Sequence, residues 1–215
     1  MKPLKIAPSI LAADFARLGD EIRRVEEAGA HWIHCDVMDG HFVPNLSMGP
    51  AVVAAARRST KLYLDVHLMI TDPALFIDQF YKAGADGIIF HVEAVANPIP
   101  LIDELHKRGL RAGLSISPPT DLARLMPYVD KVDEVLVMSV NPGFGGQVFI
   151  EDTVGRVAAL RRASNELDII VDGGINSETG ARVVKAGANV LVAGTYIFRS
   201  DDARAAIRSL MMAGD

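Results

Sequence analysis

Apolar and polar positions along this chain follow two periods that take turns. Runs with period two, such as Trp32 to Met38, read as strands. Stretches with apolar residues three and four apart, such as Ile99 to Lys107, read as helices. Strands are predicted over Ile6 to Leu11, Trp32 to Met38, Leu62 to Met69, Gly87 to Val92, Ala112 to Ile116, Val135 to Val140, Asp168 to Asp172 and Val190 to Ala193. Helical stretches are predicted near Asp14 to Ala28, Gly49 to Arg58, Pro73 to Ala83, Ile99 to Lys107, Asp121 to Tyr128, Thr153 to Ala163, Ser177 to Ala186 and Asp202 to Met212. A tripeptide recurs where helix hands over to strand: Ala28-Gly29-Ala30, Ala83-Gly84-Ala85 and Ala186-Gly187-Ala188, with Arg108-Gly109-Leu110 as a looser copy. Glycine just past a helix end adopts the left-handed cap without steric cost, so each copy stops a helix and releases a strand.

The repeated unit is therefore strand then helix, which implies a parallel sheet with right-handed crossovers. Eight units in 215 residues fit a closed (β/α)8 TIM barrel of the α/β class, one domain over 1–215. An open doubly wound sheet would carry a glycine-rich fingerprint after its first strand, and Ile10-Leu11-Ala12-Ala13-Asp14 stands there instead.

Composition narrows the function classes. Half the residues are hydrophobic and 23% are charged, which excludes a disordered chain, and a net charge of -5 offers nothing to nucleic acid or an anionic membrane. No apolar run reaches the roughly 18 residues of a membrane span, and no signal-peptide core precedes the first strand. With a single cysteine, Cys35, no intramolecular disulfide can form, so a cytoplasmic address is expected. Strand parity sends Cys35 toward the helix layer as a small buried hydrophobe.

The strand ending His-Cys-Asp-Val-Met directs His34, Asp36 and Met38 to one side. Burying an imidazole and a carboxylate there costs roughly several kcal/mol unless a partner or a metal takes their lone pairs and charge. Strand three supplies His67 and strand seven ends in Asp172, and a barrel gathers strand C-termini at one mouth. His34, Asp36, His67 and Asp172 thus predict a mononuclear site for one divalent metal, Zn2+ first, with Fe2+, Mn2+ or Co2+ also suited to two imidazoles and two carboxylates. Ser9 at the end of strand one reads as a substrate or water contact, and Met38, Met69 and Met138 as apolar lining. Glycine clusters follow strands six, seven and eight: Gly143-Phe144-Gly145-Gly146, Gly173-Gly174 and Gly194-Thr195. Three such loops on one mouth predict a phosphate cradle, because backbone N–H groups approach an anion closely where no Cβ intervenes. Lys61, Lys131 and Lys185 lie away from strand C-termini, which argues against Schiff-base chemistry.

Five motifs in order make the chain resemble the ribulose-phosphate 3-epimerase family. They are Ala7-Pro8-Ser9-Ile10-Leu11, Asp36-Val37-Met38-Asp39-Gly40-His41-Phe42-Val43-Pro44-Asn45, Asp65-Val66-His67-Leu68-Met69, Met138 through Gln147, and Val171-Asp172-Gly173-Gly174-Ile175. The resemblance implies a ribulose-phosphate-binding barrel and an isomerase that interconverts D-ribulose 5-phosphate and D-xylulose 5-phosphate. It implies that His34, Asp36, His67 and Asp172 hold the metal, and that Asp36 and Asp172 move the C3 proton through a metal-stabilised enediolate. Ser9, His67, Asp172 and the three glycine loops would then contact the phosphorylated ketopentose. The pentose phosphate route and a homo-oligomer, dimer or hexamer, are the expected setting. Two departures stand out: Ser117-Pro118-Pro119 after strand five, and Thr195-Tyr196 where a glycine-serine pair is commoner, although Thr195 keeps the hydroxyl and the N–H. A hexulose-phosphate epimerase, a phosphosugar sensor and an orotidine-phosphate-type decarboxylase are the alternatives. The last would need a lysine where Met38 stands.

Overall fold

The period-two segments become β1 (Lys5–Pro8), β2 (Trp32–Met38), β3 (Tyr63–Met69), β4 (Gly87–His91), β5 (Arg111–Ile116), β6 (Glu134–Met138), β7 (Asp168–Asp172) and β8 (Val190–Ala193) in a computed structural model that describes residues 2–214. The two end residues of the expected domain, 1 and 215, lie outside the described residues. All pairings are parallel and run in the order β1-β8-β7-β6-β5-β4-β3-β2. Between β1 and β2 the sheet is joined by a single isolated bridge, Ser9 to His34, and by the His31 N–H donating to the Ile6 carbonyl at 2.9 Å. This narrow seam closes the barrel.

Strand parity builds two cores. Outward residues such as Ile33, Cys35, Val37, Leu64, Val66 and Ile88 pack against the helices in one large cluster. Inward residues Ala7, Ile89, Leu136, Met138, Ile170 and Val192 fill the barrel. Cys35 takes its expected place in the outer layer, where burial and the nearby Asp65 and Asp36 charges push its thiol pKa up. The helices are α1 (Leu18–Glu27), α2 (Pro50–Ser59), α3 (Ile77–Ala83), α4 (Ile99–Lys107), α5 (Asp152–Ala163), α6 (Ser177–Ala186), α7 (Thr195–Phe198) and α8 (Ala203–Met211). Among the described residues, no helix is long and apolar enough to cross a membrane.

The handover glycines behave as read. Gly187 caps α6 at φ +118°, and a Cβ there would meet Arg161 side-chain carbons at 2.6 Å. The Arg161 guanidinium in turn donates to the carbonyls of Ser164, Asn165 and Leu167, each at 3.0 Å, and so ties that cap to the entry of β7.

Three expectations change. The predicted fifth helix is two 3-10 turns, Leu122–Arg124 and Met126–Tyr128. Asp121 caps the first through the Ala123 N–H, and Pro127 withdraws a donor in the second, so the segment is too short to propagate an α-helix. Strand one stops at Pro8 and turns into a 3-10 segment at Ile10–Ala12, capped by Ser9. The four-residue α7, directly after Gly194, was not predicted, since so short a segment carries no readable period.

A metal-competent cluster beneath a glycine-rimmed cavity

Parallel register assembles the polar cluster. Asp36 stands opposite His67 across the β2–β3 pair, and His34 stands opposite Asp65. Asp172 arrives from the end of β7, opposite Met138. One ligand atom from each of His34, Asp36, His67 and Asp172 falls within 4.8 Å of every other. His34 Nε2 and His67 Nδ1 both lie 3.2 Å from the same oxygen, Asp36 Oδ1, and His34 Nε2 is 4.0 Å from Asp172 Oδ2. The Ser9 hydroxyl donates to the other oxygen, Asp36 Oδ2, at 2.5 Å. Behind the cluster, His34 Nδ1 sits 2.7 Å from Asp65 Oδ2.

This arrangement calls for a cation. With its Nδ1 proton given to Asp65, a neutral His34 turns an Nε2 lone pair toward Asp36 Oδ1, so acceptor faces acceptor. Either a proton or a metal ion relieves that conflict. The electrostatics of the cluster point the same way. Burial opposes a charge on His34, yet Asp36 and Asp65 outweigh it by charge and hydrogen bond and raise its pKa well above 6.5. Asp36 is held well below the usual carboxylate range; burial opposes this, but His34 and His67 prevail. Burial, with the charges of Asp36 and Asp65, pushes Asp172 up to about 7. Burial lowers His67 to about 4. The chain thus draws protons into the space where a divalent ion would gather two nitrogens and two oxygens, a donor set that fits such an ion without thiolate.

A consequence is measurable. A metal taking this site must displace the proton that His34 retains above pH 6.5 and the fraction that Asp172 holds near pH 7. Metal affinity should therefore climb as pH rises from 6 to 8, by about tenfold per unit for each proton displaced. Calorimetry in two buffers of different ionisation enthalpy should count the protons released. A pH-independent affinity would contradict the assignment.

Above the cluster opens a cavity of about 510 Å³, a size that suits a small-molecule ligand. Ser9, Asp36, Met38, Met69, Met138 and Asp172 form its lower wall. Gly143, Phe144, Gly145, Gly146, Gly173, Gly174, Gly194 and Thr195 line the same cavity, so every loop read as a phosphate cradle reaches it. At Gly174, φ is +62° and a Cβ would meet Phe149 N at 3.0 Å and Gln147 O at 3.1 Å, so the loops after β6 and β7 touch backbone to backbone. Asn45 Nδ2 donates to the Gly143 carbonyl at 2.7 Å, which tethers the β2 loop to the β6 loop.

Of the residues singled out from sequence, His34 and His67 do not line the cavity. Both are fully buried beneath it, so His67 stands on the cluster side rather than in the cavity wall. Several neighbours escaped the sequence reading. Asp65 orients His34. The Ser139 hydroxyl lies 2.8 Å from the Asp172 carbonyl and fixes the end of β7. Among the described residues, Arg199 is the one arginine or lysine lining the cavity. His91 lies next to His67, with Glu93 behind it, and both carry a sequence signal, since His-Val-Glu repeats at the end of β4 the i, i+2 spacing that exposed His34 and Asp36.

Comparison with known proteins gives one consistent answer. A model of the Ribulose-phosphate 3 epimerase family matches residues 5–198. The Ribulose-phosphate 3-epimerase of Bacillus subtilis is 47% identical over 212 residues, covering 96% of this chain and 98% of that protein. The Ribulose-phosphate 3-epimerase of a Synechocystis species is 48% identical over 212 residues, covering 96% and 92%. A crystal structure of 3-hexulose-6-phosphate synthase superposes with a TM-score of 0.75 at 20% identity, covering 98% of this chain and 99% of the other, which establishes the barrel fold.

Proposed function

The chain belongs to the ribulose-phosphate 3-epimerase family and is an isomerase, and from this premise we propose that it interconverts D-ribulose 5-phosphate and D-xylulose 5-phosphate by proton transfer at C3 between two aspartates. The observation that carries the reading is the pair Asp36 and Asp172. Both reach the same cavity, and their surroundings push their pKa values in opposite directions. Epimerisation next to a ketone removes a proton from one face of the carbon and returns one to the other, so it needs a base and an acid at once. Asp36, held ionised against burial by His34 and His67, and Asp172, pushed upward by burial and by Asp36, are the candidates for that pair.

His34, Asp36, His67 and Asp172 would hold one divalent ion, Zn2+ before Fe2+, Mn2+ or Co2+. Such an ion supplies Lewis-acid charge for the oxyanion that develops when the C3 proton leaves. Ser9, through its bond to Asp36 Oδ2, fixes the carboxylate's rotation and leaves Oδ1 toward the imidazoles. The methionines Met38, Met69 and Met138 keep the reacting carbon away from bulk water. At the rim, the N–H groups of the Gly143–Gly146, Gly173–Gly174 and Gly194–Thr195 loops take the phosphate, and Arg199 adds positive charge beside them. Binding energy at the phosphate is thereby spent on holding C3 between the aspartates.

Proton NMR in D2O tests this directly. With metal-loaded protein and D-ribulose 5-phosphate, deuterium should enter C3 as D-xylulose 5-phosphate accumulates, and more slowly in a parallel tube with allulose 6-phosphate. Faster hexulose conversion would move the assignment to the six-carbon substrate. Exchange in neither tube would reject the epimerase reading in favour of a phosphosugar sensor.

A further inference from the structure

Behind His67 lies a second row of buried polar groups that the reaction scheme above does not use. His67 Nε2 is 2.9 Å from His91 Nε2, and His91 Nδ1 is 3.1 Å from Glu93 Oε2. The other Glu93 oxygen, Oε1, accepts the Ser117 N–H at 2.8 Å. Ser117 belongs to the Ser-Pro-Pro loop after β5, which is itself gripped by Arg156 through the carbonyls of Ser117 and Pro118. Both imidazoles are fully buried, and the Phe42 ring lies 4.7 Å from His91, centroid to centroid.

Directionality follows from the donor and acceptor inventory. His91 Nδ1 faces both Glu93 Oε2 at 3.1 Å and the Ser117 hydroxyl at 3.3 Å; a carboxylate accepts only, so Nδ1 carries the proton toward Glu93 and the hydroxyl, which can also accept, fits beside it. The remaining His91 nitrogen, Nε2, is then the acceptor, and His67 must place its proton on Nε2 to bond it. That leaves the Nδ1 lone pair of His67 aimed at Asp36 Oδ1, 3.2 Å away, a second acceptor-to-acceptor contact like that of His34, which a cation among the converging cluster atoms relieves. If the His67 proton moved to Nδ1, two lone pairs would face each other across the 2.9 Å His67–His91 contact.

We propose that His91 and Glu93, anchored by the loop after β5, are positioning residues that lock His67 in the tautomer whose Nδ1 can bind a divalent metal. The inference rests on the metal reading given above. It also gives the Ser117-Pro118-Pro119 segment a role, because the Ser117 N–H sets the rotation of Glu93, two hydrogen bonds away from His67. Groups that orient a metal-bound imidazole in this way typically account for about 10-fold to 100-fold in metal affinity.

The test titrates metal-free protein with Zn2+ against a chromophoric chelator. His91→Leu fills a similar volume but accepts no hydrogen bond, and should bind Zn2+ about 10-fold to 100-fold more weakly. His91→Gln places an amide oxygen near the position of Nε2, and should recover most of that affinity. Equal affinity in wild type and His91→Leu, or equal losses in the two variants, would overturn the relay. A wild-type protein that binds no Zn2+ would overturn the metal reading and the relay with it. Independently of any variant, 15N-histidine NMR of the Zn2+-loaded wild type should show the His67 proton on Nε2. A proton on Nδ1 would reject the proposal.

Discussion

Asp172→Asn should leave the barrel intact and slow the interconversion of D-ribulose 5-phosphate and D-xylulose 5-phosphate by about three orders of magnitude or more, within the reach of losing one acid/base group. The substitution is close to isosteric. The backbone of residue 172 is held by the Ser139 N–H and hydroxyl, each 2.8 Å from its carbonyl oxygen, and neither depends on the side chain. What disappears is a titratable oxygen. Without a cation, burial and the charges of Asp36 and Asp65 push the Asp172 carboxyl up to about 7; a carboxyl can give and take a proton, and an amide can do neither. An amide is also a weaker metal ligand than a carboxylate, so turnover should be measured at saturating metal. Deuterium incorporation at C3 should fall in step with turnover. Wild-type turnover in this variant would sink the two-aspartate scheme.

Stripping the divalent metal should have an effect of similar size. Chelation is expected to reduce turnover by about a thousandfold, the equivalent of the several kcal/mol that a Lewis acid contributes to a developing oxyanion. Far-ultraviolet circular dichroism should barely change, because the two cores that hold the barrel together are built from apolar side chains and not from the cluster residues. The melting temperature should drop and then recover as metal is returned, since an ion that binds only the folded state stabilises it by mass action. Adding back Zn2+, Fe2+, Mn2+ and Co2+ one at a time would rank them. Full turnover in rigorously metal-free protein would refute this reading of His34, Asp36, His67 and Asp172.

The parts of this protein that could be read from sequence are those written in short-range periodicity. Eight strands, and helices ending at Gly29, Gly84, Gly109 and Gly187, follow from patterns no longer than a dozen residues. The four cluster residues were legible for the same reason, since strand parity and the convergence of strand ends both survive small errors in boundaries. What stayed hidden depends on register between strands. Nothing near Asp65 in sequence says that it will lie across from His34, and nothing near Ser139 says that it will clasp the end of β7. His91 and Glu93 had the right local spacing, yet their meaning comes from His67 on the neighbouring strand. The 3-10 turns at Leu122–Arg124 and Met126–Tyr128 show the reverse failure, where a helical pattern was present but Pro127 and the brevity of the segment kept an α-helix from forming.

The seam between β1 and β2 bears on how the protein is made. β1 hydrogen-bonds chiefly to β8, in register from Lys5 with Val190 to Pro8 with Ala193, and the Ser9 N–H reaches the Ala193 carbonyl. β1, translated well before β8, can meet β2 through the Ser9–His34 bridge but completes its main ladder only when β8 docks. Ser9, and with it the orientation of Asp36, is set only after residue 193 has emerged. A nascent chain halted before that point can carry His34, Asp36 and His67 on paired strands and still lack a finished site. Catalytic competence in this protein should arrive only once β8 has been made and docked, as a property of barrel closure rather than of any single segment.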